Sequence, residues 1–272
     1  MLLTRNSTLH ACKPSGIRRF SALASANADC ISLTIGEPAE DTPQNISALV
    51  DAELKAKNTH YPLNVGYPEL RDAIAAWECE RGFSVTPEGV IATVGATEAL
   101  FASLAALLNP GDEVIIPSPA YIVYGSITTL LHATPVVLDM VQTDFQISLD
   151  ALMAVVTKKT KAIVLTSPNN PTGCILSHES LDAVARVAVE KNFYVICDDV
   201  YRELSYVQDV PRFAAKYPQL ADRTIVTNSF SKPWAMTGWR LGWVATTDSL
   251  AADIAKVHQQ MVSSVPSFLQ AS

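Results

Sequence analysis

The chain is predicted to be α/β, a three-layer αβα sandwich on a seven-stranded, mainly parallel sheet, and three observations carry this. From about residue 90 onward, short β-branched apolar runs alternate with longer helical patterns, as in successive βαβ units. Several of the runs lack polar alternation, as strands covered on both faces do. About half of the 272 residues are apolar and 17% are charged, which suits a large packed core and not disorder.

The first 29 residues or so read as an arm, followed by a short extended piece at 31–35 and helices at 46–57 and 69–81. The strands are expected at 90–94, 113–117, 135–139, 161–166, 193–198, 224–228 and 241–246. Only the last follows closely on its predecessor, so it is the one free to pair antiparallel. Helices are expected at 98–108, 121–131, 181–191 and 250–261, the first of them stopped by Asn109-Pro110-Gly111.

A net charge of −7 argues against a nucleic-acid surface, which needs clustered Lys and Arg, and favours a small-molecule partner. The five cysteines (Cys12, Cys30, Cys79, Cys174, Cys197) are scattered and show no CxxC pair, so no metal or redox site is expected. No apolar stretch approaches the roughly 20 residues that cross a bilayer. Nothing acidic precedes Asp29 while Arg5, Lys13, Arg18 and Arg19 do, a composition shared by transit peptides and by ordinary N-terminal arms.

In open α/β sheets ligands sit at the carboxyl ends of strands, and four loops there hold candidate chemistry. Gly95-Ala96-Thr97-Glu98 is a glycine turn opening a helix, fit to hold a phosphate on backbone N–H groups or simply to cap the helix. Ser167-Pro168-Asn169-Asn170-Pro171-Thr172-Gly173 is a rigid loop that either turns the chain or offers Asn170 to a ligand oxygen. Asp198 and Asp199 end an apolar run; each is either an N-cap or a buried acid awaiting a cation, such as a protonated heterocyclic nitrogen, with Tyr201 nearby. Lys232 sits among Phe230, Pro233 and Trp234, where desolvation would favour a neutral, nucleophilic amine over a solvated surface charge.

Together these loops resemble the class I/II aminotransferases, fold-type I enzymes that use pyridoxal 5′-phosphate (PLP). The segment from Ser229 to Gly242, with Ser231, Lys232, Ala235, Met236, Gly238 and Arg240, is similar to that family's cofactor-attachment signature. The resemblance implies that Lys232 carries PLP as a Schiff base, that Asp198 salt-bridges the ring nitrogen, and that Tyr201 and Asn170 hydrogen-bond the ring oxygen. It implies a phosphate seat made by Gly95, Ala96, Thr97, Ser229, Ser231 and Arg240, with Tyr121 stacked on the ring. Tyr61 is similar to the tyrosine that reaches the phosphate of a neighbouring subunit, which implies a homodimer. Gly36 resembles the backbone contact to the substrate carboxylate, shared with Asn170. The stretch from Ser15 to Arg18 resembles the family's folded arm, which tips the transit-peptide question towards a cytoplasmic protein.

The activity so implied is transfer of an amino group between an amino acid and a 2-oxo acid. A carbon–sulfur β-lyase on the same fold is the alternative, and the loops above are common to both. A non-catalytic regulator module is disfavoured by the lack of a basic DNA-binding segment. Residues 1–45 are expected to form an arm and part of a small domain, and residues 46–272 the PLP-binding large domain. Family members continue beyond the point matching Ser272, into the rest of the small domain and its substrate-binding arginine. The chain is therefore expected to bind PLP but to turn substrate over poorly, or to be an inert remnant.

Overall fold

A computed structural model describes residues 6–12 and 16–270. Helices α1 (Ser7–Ala11), α2 (Gly16–Ser25), α3 (Gln44–Lys55) and α4 (Pro68–Glu80) precede the sheet. Then come β1 (Val90–Thr93), α5 (Gly95–Leu107), β2 (Glu113–Ser118), α6 (Ile122–Leu130), β3 (Thr134–Asp139), α7 (Leu149–Val155), β4 (Thr160–Thr166) and α8 (His178–Lys191). The series ends with β5 (Tyr194–Asp198), α9 (Phe213–Lys216), β6 (Thr224–Ser229), β7 (Gly242–Ala245) and α10 (Asp248–Val262).

All seven predicted strands form one sheet in the order β1-β7-β6-β5-β4-β2-β3. β7 runs antiparallel to both β6 and β1, while β2 with β3, β2 with β4, β4 with β5 and β5 with β6 pair parallel. Reversal of β7 follows from its short connection, since a parallel return would need a crossover of a dozen or more residues.

The two-residue period of the strands supplies two cores. Val90, Ile115, Ile163, Val195 and Val226 pack with α4, α7, α8 and α9 on one face. Ile91, Val114, Val164, Ile196 and Ile225 pack with α5, α6 and α10 on the other. This is the expected three-layer sandwich.

Three details differ from the sequence reading. The arm holds two helices, of which α2 buries no residue. The piece at 31–35 pairs with no strand, and Ile31 and Leu33 stand 88% and 94% exposed. The short helix α7, capped by Ser148, was not anticipated because seven residues carry too little periodicity. Ser15 lies outside the described residues; Gly16, Ile17 and Arg18 form the first turn of α2. Among the described residues no helix is long and apolar enough to cross a membrane.

Candidate active site

Strand alternation sends the two neighbouring acids at the end of β5 in opposite directions, and this decides their roles. Asp199 turns towards the α4 face, where Arg212 donates from Nε to its Oδ2 at 2.7 Å. Arg212 also binds Glu78 of α4, whose other oxygen accepts from Trp243 Nε1 at 2.8 Å. Burial works against this guanidinium, but Asp199 and Glu78 outweigh it and hold the proton firmly. The result is a closed, buried network in which one guanidinium joins two carboxylates.

Asp198 turns to the other face and meets no cation among the described residues. It is 3% exposed. Its Oδ2 accepts from Tyr124 Oη at 2.7 Å, and its Oδ1 accepts a longer bond, 3.3 Å, from Val200 N–H. Since Tyr124 gives its single proton to Asp198, Thr166 must donate to Tyr124 Oη, 2.6 Å away. Burial pushes the Asp198 carboxyl up to about 6, against the lowering pull of Tyr124 and Val200. A buried acid held by neutral donors alone is costly to ionise and is suited to meeting a cation brought by a ligand.

Beside it, Asn170 Nδ2 donates to Tyr201 Oη at 3.0 Å. Tyr201 is raised from its ordinary value by burial and then by Asp198. Lys232 Nζ lies 5.8 Å from the centroid of the Tyr201 ring. Burial lowers the Lys232 ammonium from its ordinary value; Glu37 opposes this and Arg240 adds to it. The lysine loop is fixed from below by aromatic packing, Phe230 lying 5.0 Å from Trp234 and 4.9 Å from Trp243 between ring centroids. From above, residues 36–42 strap it. Gly36 O accepts from Lys232 Nζ, Thr237 Oγ1 donates to Glu37 at 3.0 Å, and Thr42 Oγ1 donates to Ala235 O at 2.7 Å.

Reversal of β7 brings its first residues, not its last, to this edge of the sheet. Gly242 therefore faces the turn that opens α5, so closely that an added Cβ would lie 2.8 Å from Gly95 C and 2.6 Å from Asn228 O. At Gly95, with φ +74°, an added Cβ would lie 2.5 Å from Arg240 Nη2. The guanidinium thus rests on the glycine turn, its Nη1 donating to Thr237 O at 2.9 Å. The N-cap residue Val94 offers no side-chain acceptor, so the first N–H groups of α5, at Gly95, Ala96 and Thr97, are left for a ligand. Ser229 Oγ donates to Ser231 Oγ at 2.7 Å, completing a small hydroxyl cluster that Arg240 Nη1 reaches at 3.5 Å.

The structure brings together Asp198, Tyr201, Asn170 and Lys232 on one side, and Gly95, Ala96, Thr97, Ser229, Ser231 and Arg240 on the other. Tyr121, at the N-cap of α6, stacks edge-on to Tyr124 with centroids 5.7 Å apart. Two further expected residues stand apart from these groups. Tyr61 is 92% exposed and bonds to nothing in the cluster. Gly36 turns its carbonyl to Lys232; a carbonyl accepts and cannot donate to a carboxylate, so only its N–H remains for that role. Tyr124 and Thr166 escape sequence reasoning. The one available signal is that Tyr124 stands one helical turn after Tyr121, on the same side.

By fold, the chain is that of known aminotransferases: it superposes on aspartate aminotransferase from Thermus thermophilus with maleate at a TM-score of 0.93, with 34% identity, over 99% of this chain and 72% of that one. The family description "Aminotransferase class I and II" matches residues 28–272, and the chain belongs to that family, which depends on PLP. Curated relatives include a probable N-acetyl-LL-diaminopimelate aminotransferase of Bacillus subtilis, 40% identical over 94% of this chain and 65% of the relative. Another is an aspartate aminotransferase of Pyrococcus abyssi, 38% identical over 98% of this chain and 70% of the relative. The chain thus spans about two thirds of the length of such relatives.

The residues present fit the cofactor. An unpaired buried acid suits a protonated ring nitrogen, a partly desolvated amine suits a carbonyl, and a glycine turn under a guanidinium suits a phosphate.

Proposed function

We propose that this chain is the cofactor-holding part of an aminotransferase that exchanges an amino group between an amino acid and a 2-oxo acid. The observation that carries the reading is the contrast between Asp199, balanced by Arg212, and Asp198, equally buried without a cation and facing the same strand-end cluster as Lys232.

When bound, PLP supplies the electron sink that allows a bond at the amino acid's Cα to break. Asp198 would hold a proton at the ring nitrogen, an electrostatic contribution strongest when charge develops there. Tyr124, donating to Asp198, keeps that carboxylate oriented and ionised. Tyr201 and Asn170 would fix the ring oxygen. Lys232 Nζ would hold PLP covalently and, once released by the incoming amino group, carry the proton from Cα as base and then acid. The Gly95, Ala96 and Thr97 N–H groups, Ser229, Ser231 and Arg240 would anchor the phosphate, and Tyr121 would lie against the ring.

Residues 1–45 would serve as arm and part of a small domain and residues 46–272 as the large domain. The free exposure of Tyr61 supports its use by a second copy, hence a homodimer. The arm is bonded to the fold, Thr8 Oγ1 lying 3.3 Å from His132 Nδ1; a cytoplasmic home is proposed on the resemblance of the arm to the family's folded arm.

The test is a panel of amino donors with 2-oxoglutarate and pyruvate, followed for 2-oxo-acid-dependent transamination and separately for ammonia and pyruvate release. Transamination that Lys232→Ala abolishes, together with the cofactor's absorbance band, is the expected result. Ammonia release without need of a 2-oxo acid would move the assignment to a β-lyase. The 272 residues alone are expected to bind PLP well and turn over slowly; brisk turnover would show that they already hold the substrate α-carboxylate.

A further inference from the structure

Behind the glycine turn lies a second buried network that the chemistry above does not use. His258 of α10 is wholly buried, and Glu98, in the first turn of α5, is 6% exposed. His258 Nδ1 lies 2.7 Å from Glu98 Oε1, and His258 Nε2 lies 2.8 Å from the carbonyl oxygen of Asn64. The other oxygen of Glu98 accepts from the N–H of Val94, the residue immediately before Gly95.

Hydrogen-bond logic fixes the net charge of the pair. The Asn64 carbonyl only accepts, so Nε2 must carry a hydrogen. Nδ1 and the carboxylate, 2.7 Å apart, must then share one more proton, because two bare lone pairs at that distance would repel. Imidazolium with carboxylate, or imidazole with carboxylic acid, both sum to zero. This matters because a lone carboxylate in the first turn of a helix would itself occupy the positive helix end and repel an anion arriving there.

We propose that Glu98 and His258 are a positioning pair for the anion seat, Glu98 pinning the Val94 peptide so that the Gly95–Thr97 N–H groups point outward, and His258 cancelling the acid's charge. The inference rests on the reading that this turn and Arg240 hold the phosphate of PLP.

The experiment compares the dissociation constants of PLP and of pyridoxal, which lacks the phosphate, for the 272-residue chain, both followed by absorbance. Their ratio measures the phosphate's contribution. The unsubstituted chain is expected to favour PLP strongly, and Arg240→Ala to reduce the ratio. His258→Gln, which keeps bulk and a donor but leaves Glu98 charged, is expected to lower the ratio by roughly five- to tenfold, with pyridoxal binding little changed. Glu98→Gln, neutral and able to accept from Val94, is expected to keep the ratio, and Glu98→Gln combined with His258→Gln to recover it. Glu98→Ala, which frees the Val94 N–H, is expected to lower it, and this comparison serves also if His258→Gln does not fold. A merely structural role would weaken both ligands alike and leave the ratio fixed. A high ratio that His258→Gln leaves unchanged, or equal ratios for Glu98→Gln and Glu98→Ala, overturns the pair alone. A ratio near one in the unsubstituted chain overturns the phosphate seat and the pair together.

Discussion

Replacing Asp198 with asparagine should make the cofactor-free protein more stable while spoiling its grip on the cofactor. Raising an acid from 3.8 to about 6 on folding costs about 3 kcal/mol once the group ionises, at roughly 1.4 kcal/mol per tenfold change in proton affinity. Because the folded value lies above the unfolded one, the penalty is absent below about pH 4 and complete well above pH 6. Asparagine removes it. The amide still accepts from Tyr124, but its NH₂ then faces the Val200 N–H, a mismatch worth about 1 kcal/mol. The expected net gain is about 2 kcal/mol at pH 8, an upward shift of several degrees in Tm, falling to nothing or slightly below near pH 4. Thermal melts of both forms across that range are the assay, with PLP affinity measured alongside at pH 8 and expected to fall by tenfold or more through loss of the pairing charge. A variant less stable at pH 8 than the parent, or one that keeps full PLP affinity, would refute the view that Asp198 is an ionised acid waiting for a cation.

Three further perturbations probe the same geometry. Arg212→Met strands Glu78 and Asp199 as buried charges and should destabilise the fold by about 3–5 kcal/mol in denaturant titration; a loss under 1 kcal/mol would mean the network is not closed. Gly95→Ala, with φ +74° and its new Cβ 2.5 Å from Arg240 Nη2, should cost about 1–2 kcal/mol and selectively weaken PLP over pyridoxal; unaltered Tm and preference would count against the contact. Tyr124→Phe removes a donor that lowers Asp198, so the pH above which PLP binds tightly should move up, by about one unit for a hydrogen bond worth 1.5 kcal/mol; a pH profile that stays put would show that Tyr124 does not set the acid.

The sheet was legible because its seven strands are short apolar runs punctuated by turn residues, a local property. The four loops were legible for a related reason: in this topology a loop after a strand lies at the ligand edge whatever its sequence. What alternation could not reveal is which of two adjacent acids is balanced. Its partner, Arg212, lies thirteen residues on and is shared with Glu78, which α4 brings to the same place. Tyr124 looks like an ordinary core aromatic until α6, packed on β2 and β3, carries its hydroxyl to the ends of β4 and β5, and Glu98 like an ordinary helix-start acid until α10 brings His258 across 160 residues. Residues 31–35 are apolar enough to read as extended, but no strand of the sheet takes them as a partner, and composition alone carries no information about that.

The reversed β7 also fixes an order of events during synthesis. β1 touches the sheet through β7 alone, Val90–Thr93 pairing with Gly242–Ala245 and with no other strand. A nascent chain can therefore build β2 to β6 from neighbours in sequence, but its earliest strand stays without a partner until a segment some 150 residues later leaves the ribosome, a long-range closure of the kind that folds slowly. Arg240 arrives on Gly95 in that same closure. Before β7 has paired with β1, a nascent chain therefore lacks the contact that sets the Arg240 guanidinium on the glycine turn.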